Sequence, residues 1–262
     1  MLISIRLLTS LLTPVEVGNY YLATSILAFF NLVFLNPPGV YFTRHLLEWF
    51  RSRNLLNALI VFFSWILIVI IISALIVFTI FEFTNYEQKF NYEMFMAFIL
   101  LSIIISTIHR NIVYGLNTIG YRKEFVYGLT ITLFFGLLFS IGLIYFFQPT
   151  ALFWLYGIII SETVIIYFAF KFFVKGNLFD RKKIKEALGL ERLKKILIFT
   201  FPIAIATFLM WGQNMSYRFI VDYKYSAEAL GYIAIGLGVA SSIFGSLEAL
   251  ITQYFNPIFL KD

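Results

Sequence analysis

Four charged residues lie in or beside long apolar stretches, where an ionised side chain is costly unless it has a partner or a task. Arg110 falls inside one such stretch, and Arg44 and Arg218 each follow one closely. A guanidinium stays protonated and can bind a phosphate through two parallel hydrogen bonds, so these arginines are candidates for binding an anion. Glu162, inside another stretch, is a candidate for coupling to a proton or sodium ion, or for balancing charge.

Each of these residues also has a purely structural interpretation. Arg110 can extend to the membrane interface, and Arg44 can anchor a helix end on the cytoplasmic side. Arg218 can pair with Asp222 one helical turn later, which contributes a few tenths of a kcal/mol at an exposed position. Glu162 can pair with a base such as Arg110. Both sets of interpretations are open from the sequence.

A possible helix break adds a second kind of candidate site. Its four residues are Asn36, Pro37, Pro38 and Gly39. Two successive prolines remove two backbone donors and glycine adds flexibility, so we expect the helix to kink or break here, at membrane depth. A break at that depth must face protein or water, and it could open a polar notch beside Arg44.

The composition excludes a soluble globular enzyme. The 262 residues are 61% hydrophobic and only 13% charged, with a mean hydropathy of +0.88. Cysteine is absent and only two histidines occur, which disfavours metal sites and cofactors that need these ligands. The sequence contains no Gly-rich phosphate-binding loop after a strand and no cluster of carboxylates in an extramembrane domain, the patterns that would indicate an enzyme. The formal charge of +6 fits basic cytoplasmic loops better than a nucleic-acid partner.

Long, predominantly apolar runs predict an all-α, polytopic membrane protein, because about 18 apolar residues suffice to cross the hydrocarbon core. The chain contains seven such spans: Val17 to Phe42, Ala58 to Phe81, Met94 to Gly115, Phe125 to Phe147, Thr150 to Phe170, Ile196 to Tyr217 and Ala229 to Phe255. Met1 to Leu12 is too short to span alone, and we interpret it as the end of a truncated first helix. Thr13, Pro14 and Glu16 predict a capped start for the next helix, with Glu16 completing a capping box.

The basic residues predict the orientation of these spans. If the spans alternate, 16 of the 20 Lys and Arg residues fall on one side, and only Arg6, Lys89, Arg218 and Lys224 fall on the other. The richer side is expected to be cytoplasmic, which also places the N-terminus there. Residues 176–195 are the most basic connection, and their pattern favours a short amphipathic helix at the membrane surface.

Aromatic residues are abundant, with 32 Phe and 16 Tyr. Five of the tyrosines lie near the ends of spans: Tyr20, Tyr21, Tyr41, Tyr217 and Tyr232. Such positions are more typical of rings at the membrane interface than of platforms on which sugars stack.

Two parts of the sequence are similar to one another. Thr13 to Gly18 and Ser226 to Gly231 each place a hydroxyl residue five positions before a glycine, and each precedes a span. Both spans then reach an Asn-Pro pair, Asn36-Pro37 in the first and Asn256-Pro257 in the second. Because both copies are predicted to run in the same direction, they indicate a parallel repeat about an axis along the membrane normal.

Five stretches carry a resemblance to a known family: Ser10 to Gly18, Phe201-Pro202, Ser216 to Ile220, Ser226 to Gly231 and Leu250 to Pro257. On these stretches the chain resembles the polysaccharide-transport, O-antigen flippase-like branch of the multidrug/oligosaccharidyl-lipid/polysaccharide exporter superfamily. The resemblance implies two six-helix lobes around a cavity that opens alternately to either side. It also implies polyprenyl-pyrophosphate-linked oligosaccharides as substrates.

The resemblance divides the chain into residues 1–175 as a first lobe, 176–195 as a linker and 196–262 as the start of a second lobe. Family members typically have twelve or more spans, so this chain is expected to be truncated or to receive its missing helices from a partner. The resemblance implies a multi-pass protein of the bacterial inner membrane. Such a protein would move the lipid-linked oligosaccharide that is used to assemble lipopolysaccharide or another surface polysaccharide. The three arginines would contact the headgroup, and Glu162 would serve coupling or charge balance.

Three other functions fit parts of this pattern. A drug or small-solute exporter of the same superfamily would share the architecture. A membrane-embedded glycosyltransferase or polymerase generally needs a large extramembrane loop, whereas the longest predicted outer loop is only Glu82 to Glu93. An inactive fragment would have no transport activity of its own.

Overall fold

A computed structural model describes residues 2–174 and 190–259, and these residues form a helix bundle without strands, as predicted. The helices are α1 (Leu2–Leu11), α2 (Pro14–Phe29), a π-helix (Phe30–Leu35), α3 (Asn36–Arg51), α4 (Leu55–Phe83), α5 (Tyr92–Thr118), α6 (Arg122–Phe146), α7 (Ala151–Phe173), α8 (Leu190–Lys224) and α9 (Ala227–Phe259). A short 3₁₀ helix (Asn85–Gln88) connects α4 to α5. Counting α2 to α3 as one continuous helix, seven are long and apolar enough to cross a membrane.

The core lies where α5 and α7 pack on each other and on α2. Its largest fully buried side chains include Phe30, Phe95, Phe98 and Phe173. Helix α6 packs along the outside of α7, and α9 packs along α2. The apolar spans thus bury one face inside the bundle and leave large apolar side chains exposed on the other, as helices surrounded by lipid do.

Contacts between helix ends support the predicted alternation of the spans. The backbone N–H of Ala151, at the start of α7, donates to Glu16 Oε2 at the start of α2 (2.6 Å). Tyr156 Oη donates to the carbonyl oxygen of Met94 near the start of α5 (2.7 Å). We call this side of the bundle the Glu16 end. The later parts of α3, α5 and α7 meet at the opposite side, where Gly115 packs against Phe173, and we call it the Gly115 end.

Helices α2 and α9 begin in the same way, which supports the predicted repeat. Thr13 Oγ1 accepts from the Glu16 N–H (3.4 Å), and Ser226 Oγ accepts from the Ala229 N–H at the equivalent place (3.0 Å). The second half of the predicted capping box is not formed, because the Glu16 carboxylate instead accepts from Ala151 and from the side chain of Asn19.

The two glycines of the repeat lie where α2 and α9 cross. A Cβ atom on Gly18 would overlap the backbone of Ala227, and a Cβ atom on Gly231 would overlap the backbone of Pro14. Pro14 and Ala227 hold equivalent places in the two copies, so the contact is reciprocal, as a local two-fold axis requires. Only glycine lets the helices approach this closely.

The predicted helix break is replaced by a π-helix one turn earlier. The backbone stays helical through the four residues from Asn36 to Gly39. The Asn36 N–H donates to the carbonyl of Asn31, five residues back, within the wider π-helical turn. Pro37 and Pro38 then fall in the first turn of α3, where a missing N–H is best tolerated.

The predicted linker and second lobe are described only in part. Residues 176–189 of the linker lie outside the described residues. Helix α8 already includes Leu190, so the last residues of the predicted linker belong to this helix. Helix α8 packs against α2, the π-helix and α3, and it contains Pro202.

At the Glu16 end, the loop between α4 and α5 is tied to the end of α8. Lys89 Nζ donates to both carboxylate oxygens of Asp222, whose side chain is only 5% exposed. The Lys89 ammonium also lies 5.5 Å from the centre of the Tyr86 ring. The Lys89–Asp222 pair thus joins the loop between α4 and α5 to the last turn of α8.

Tyr86 gives a pH-dependent prediction. Burial raises the pKa of Tyr86 from 10.0 to about 12, and the Asp222 carboxylate adds to this rise. Between these pH values the unfolded chain releases a proton that the folded chain retains, so stability falls as pH rises. We expect the thermal unfolding temperature of the purified protein to fall less between pH 10 and pH 12 in the Tyr86→Phe variant than in the unaltered protein. Identical declines in both proteins would contradict this prediction.

Candidate functional site

A cavity of about 810 Å³ lies among α1, α2, α3, α5, α6 and α7. Five of the predicted site residues line it: Asn36, Gly39, Arg44, Arg110 and Glu162. Two of the three candidate arginines and the candidate acid therefore share one site. The remaining residues of the predicted break lie elsewhere, since Pro37 is buried and Pro38 lines a different groove.

Helix α5 supplies a polar stripe to this cavity. Ser106, Arg110 and Tyr114 follow at intervals of four residues, which places them on one helix face. Ser106 Oγ donates to Glu162 Oε2 across the cavity wall (2.5 Å). Among the described side chains, no ion pair within 4 Å joins Arg110 to Glu162, so the proposed pairing of these two residues is replaced by the serine contact.

Arg44 lines the cavity and also contacts α8. It extends from α3, and its guanidinium carbon is 5.0 Å from the centre of the Phe199 ring on α8. Its side chain is exposed, and no carboxylate lies within 4 Å of it among the described side chains. The guanidinium can therefore still accept an anionic ligand.

Arg218 lies in a second cavity, of about 520 Å³. Its Nη1 atom donates to the Ser25 hydroxyl (3.0 Å) and to the Tyr21 carbonyl (3.3 Å), and its guanidinium carbon lies 5.0 Å from the centre of the Tyr21 ring. The structural alternative, in which Arg218 pairs with Asp222, is not formed, because Asp222 pairs with Lys89. Arg218 thus ties α8 to α2, with part of its hydrogen-bonding capacity already used.

The two cavities adjoin. Ser4, Tyr20 and Trp154 line both of them, and we call these three residues the waist. Tyr21 and Tyr217 line the second cavity, so three tyrosines that the sequence favours as interfacial rings line internal space instead. The larger cavity lies toward the Gly115 end, and the second lies beside the later part of α8 and the first half of α9.

Sequence reasoning missed several polar residues around the larger cavity. His109 is buried, and its Nε2 lies 3.0 Å from Thr132 Oγ1 on α6. Ser161 Oγ donates to the carbonyl of Thr132 (2.7 Å). The spacing of polar residues along α5 could have indicated His109, but the partners on α6 and α7 depend on tertiary packing.

An apolar groove of about 260 Å³ lies on the other face of α3, between α3, α4 and α8. Its lining includes Pro38, Phe42, Trp49 and Trp65. Helix α3 thus presents Asn36, Gly39 and Arg44 to a polar cavity and aromatic residues to an apolar groove.

No group of three or more His, Asp or Glu side chains that could hold a metal ion occurs in the described part of the chain. Comparisons with family models, curated proteins and solved structures find no match to this chain. Its function is therefore inferred from the geometry of the cavities.

Proposed function

We propose that this chain is a flippase-like transporter, or the first part of one, that moves polyprenyl-pyrophosphate-linked oligosaccharides across the bacterial inner membrane by alternating access. One observation carries the proposal: Arg44, Arg110 and Glu162 line a single cavity of about 810 Å³ inside a bundle of membrane-length helices. The cargo would serve the assembly of surface polysaccharide.

The chemistry of the cavity suits a pyrophosphate headgroup. Moving two phosphate charges through hydrocarbon requires a hydrated path with compensating cations. Arg44 and Arg110 are both exposed and have no carboxylate within 4 Å among the described side chains, so their charges are available to the phosphates. Glu162, held by Ser106 in the same cavity, serves coupling to a cation or charge balance.

The distribution of basic residues supports entry of the cargo from the cytoplasmic side. With the Gly115 end in the cytoplasm, Arg44 and Arg110 lie near the side on which lipid-linked oligosaccharides are presented. The polar cavity and the apolar groove lie on opposite faces of α3, so the headgroup can lie inside the bundle while the lipid tail stays at its apolar surface.

Binding of polyprenyl pyrophosphate to the purified chain in lipid nanodiscs tests this proposal. A charge-assisted hydrogen bond contributes about 1.5–3 kcal/mol, so we expect Arg44→Gln and Arg110→Gln each to weaken binding by about tenfold or more. Arg51→Gln, which changes an exposed arginine on α3 outside the cavity, is the matched control.

Unchanged affinity in both cavity variants would refute the proposed headgroup site. Tighter binding of a lipophilic cation than of polyprenyl pyrophosphate would instead indicate a drug exporter. Both measurements use the chain as it stands and need no transport activity.

A further inference from the structure

We infer that the waist formed by Ser4, Tyr20 and Trp154 binds the neutral sugar rings of the cargo, next to the cationic cavity that binds its pyrophosphate. This inference rests on the proposed function and adds the location and chemistry of the glycan site. The waist residues are the ones shared by both cavities, so a cargo larger than its headgroup must contact them.

Trp154 and Tyr20 have unused hydrogen-bonding groups. Trp154 is only 3% exposed, yet its indole N–H has no acceptor among the described residues, and the Tyr20 hydroxyl likewise makes no hydrogen bond to them. By contrast, the indole N–H groups of Trp65 and Trp211 each donate to a backbone carbonyl. Both residues line the two cavities, so these unused groups can form hydrogen bonds with a polar ligand there.

The second cavity continues this chemistry. Its lining includes the rings of Tyr21 and Tyr217 and the amides of Gln213 and Asn214. A sugar ring offers apolar C–H faces that pack on aromatic rings and hydroxyls that bond to phenols, indoles and amides. Arg218 is the one basic residue in this lining, and it already donates to α2.

The two cavities therefore differ in the ligand they suit. The larger one carries two guanidinium groups with no carboxylate within 4 Å among the described side chains, which suits the anionic pyrophosphate. The waist and second cavity offer mainly rings and uncharged polar groups, which suit a neutral oligosaccharide. In this arrangement, the glycan lies deeper toward the Glu16 end than the headgroup does.

The test compares polyprenyl pyrophosphate with and without an attached oligosaccharide, using three different neutral glycans, on the purified chain in nanodiscs. We expect each glycosylated lipid to bind more tightly than the bare lipid. Trp154→Phe, which keeps a ring but loses the N–H, should reduce only the glycan-dependent gain, by about threefold. Trp154→Leu, which also loses the ring, should reduce it by about tenfold.

Trp211→Phe is the matched control, because Trp211 lines neither polar cavity nor the apolar groove, and its indole N–H already donates to the Ser25 carbonyl. It should leave the affinity for both kinds of lipid unchanged. If bare and glycosylated lipids bind equally to the unaltered chain, or if the Trp154 variants weaken both equally, the sugar site is refuted while the headgroup site stands. If the bare lipid itself does not bind, the proposed function fails.

Discussion

Replacing Gly18 by Ala is expected to destabilise the protein by about 3 kcal/mol, the upper part of the range for overpacked sites. The added methyl group would overlap the carbonyl of Ala227, and a backbone carbonyl cannot rotate away as a side chain can. Helices α2 and α9 would therefore have to separate along their whole contact. Gly231→Ala is expected to have a similar effect, because its methyl group would overlap the carbonyl of Pro14.

Thermal unfolding in detergent or nanodiscs measures this effect, and Gly236→Ala supplies the control. Gly236 lies in α9, where an added Cβ would meet nothing within 4 Å. Alanine there should leave stability unchanged or raise it by about 0.5–1 kcal/mol, because alanine favours helix more than glycine. The double variant of Gly18 and Gly231 should lose less than the sum of the single losses, since both methyl groups force apart the same helices. Equal stability of the Gly18 and Gly236 variants would contradict the close crossing.

Replacing Lys89 by Met is expected to cost about 3 kcal/mol, because it leaves the buried Asp222 carboxylate without its cation. This is the lower part of the range for broken buried pairs, since the Lys89 side chain is itself 28% exposed. Removing both charges in Lys89→Met with Asp222→Leu should restore most of the lost stability, because an apolar pair avoids the desolvation of either charge.

The same thermal measurement tests the pair, and Lys224→Met is the control. Lys224 is exposed at the end of α8, two residues beyond Asp222, and has no carboxylate within 4 Å among the described side chains. Its loss should change stability by less than about 0.5 kcal/mol. A double variant that is no more stable than the Lys89 variant would show that the pair does not act as a unit.

Features that depend on neighbouring residues could be predicted from the sequence. The starts of α2 and α9 at Thr13 and Ser226 follow from capping residues three positions before the N–H groups they bind. The membrane-length helices follow from long, predominantly apolar runs. The π-helix was not predictable in the same way. Pro37 and Pro38 constrain the backbone of the preceding turn, but more than one helical hydrogen-bond pattern can satisfy that constraint.

Features that depend on tertiary packing could not be predicted. The sequence offers Asp222 to Arg218 as the nearest partner on the same helix, but Asp222 bonds to Lys89, 133 residues away. Glu162 likewise takes Ser106 rather than Arg110, because the packing of α5 on α7 decides which side chain reaches it. The residue types of the candidate site were therefore predictable, whereas their partners and the waist were not.

The glycine crossing also affects how α2 and α9 can move against each other. Interdigitated side chains resist rotation of one helix against another, because each must leave its groove before the helices can turn. Around Gly18 and Gly231 the helices instead touch through their backbones, so no interdigitated side chains have to separate there. At this crossing α2 and α9 can therefore tilt against each other while their backbones remain in contact.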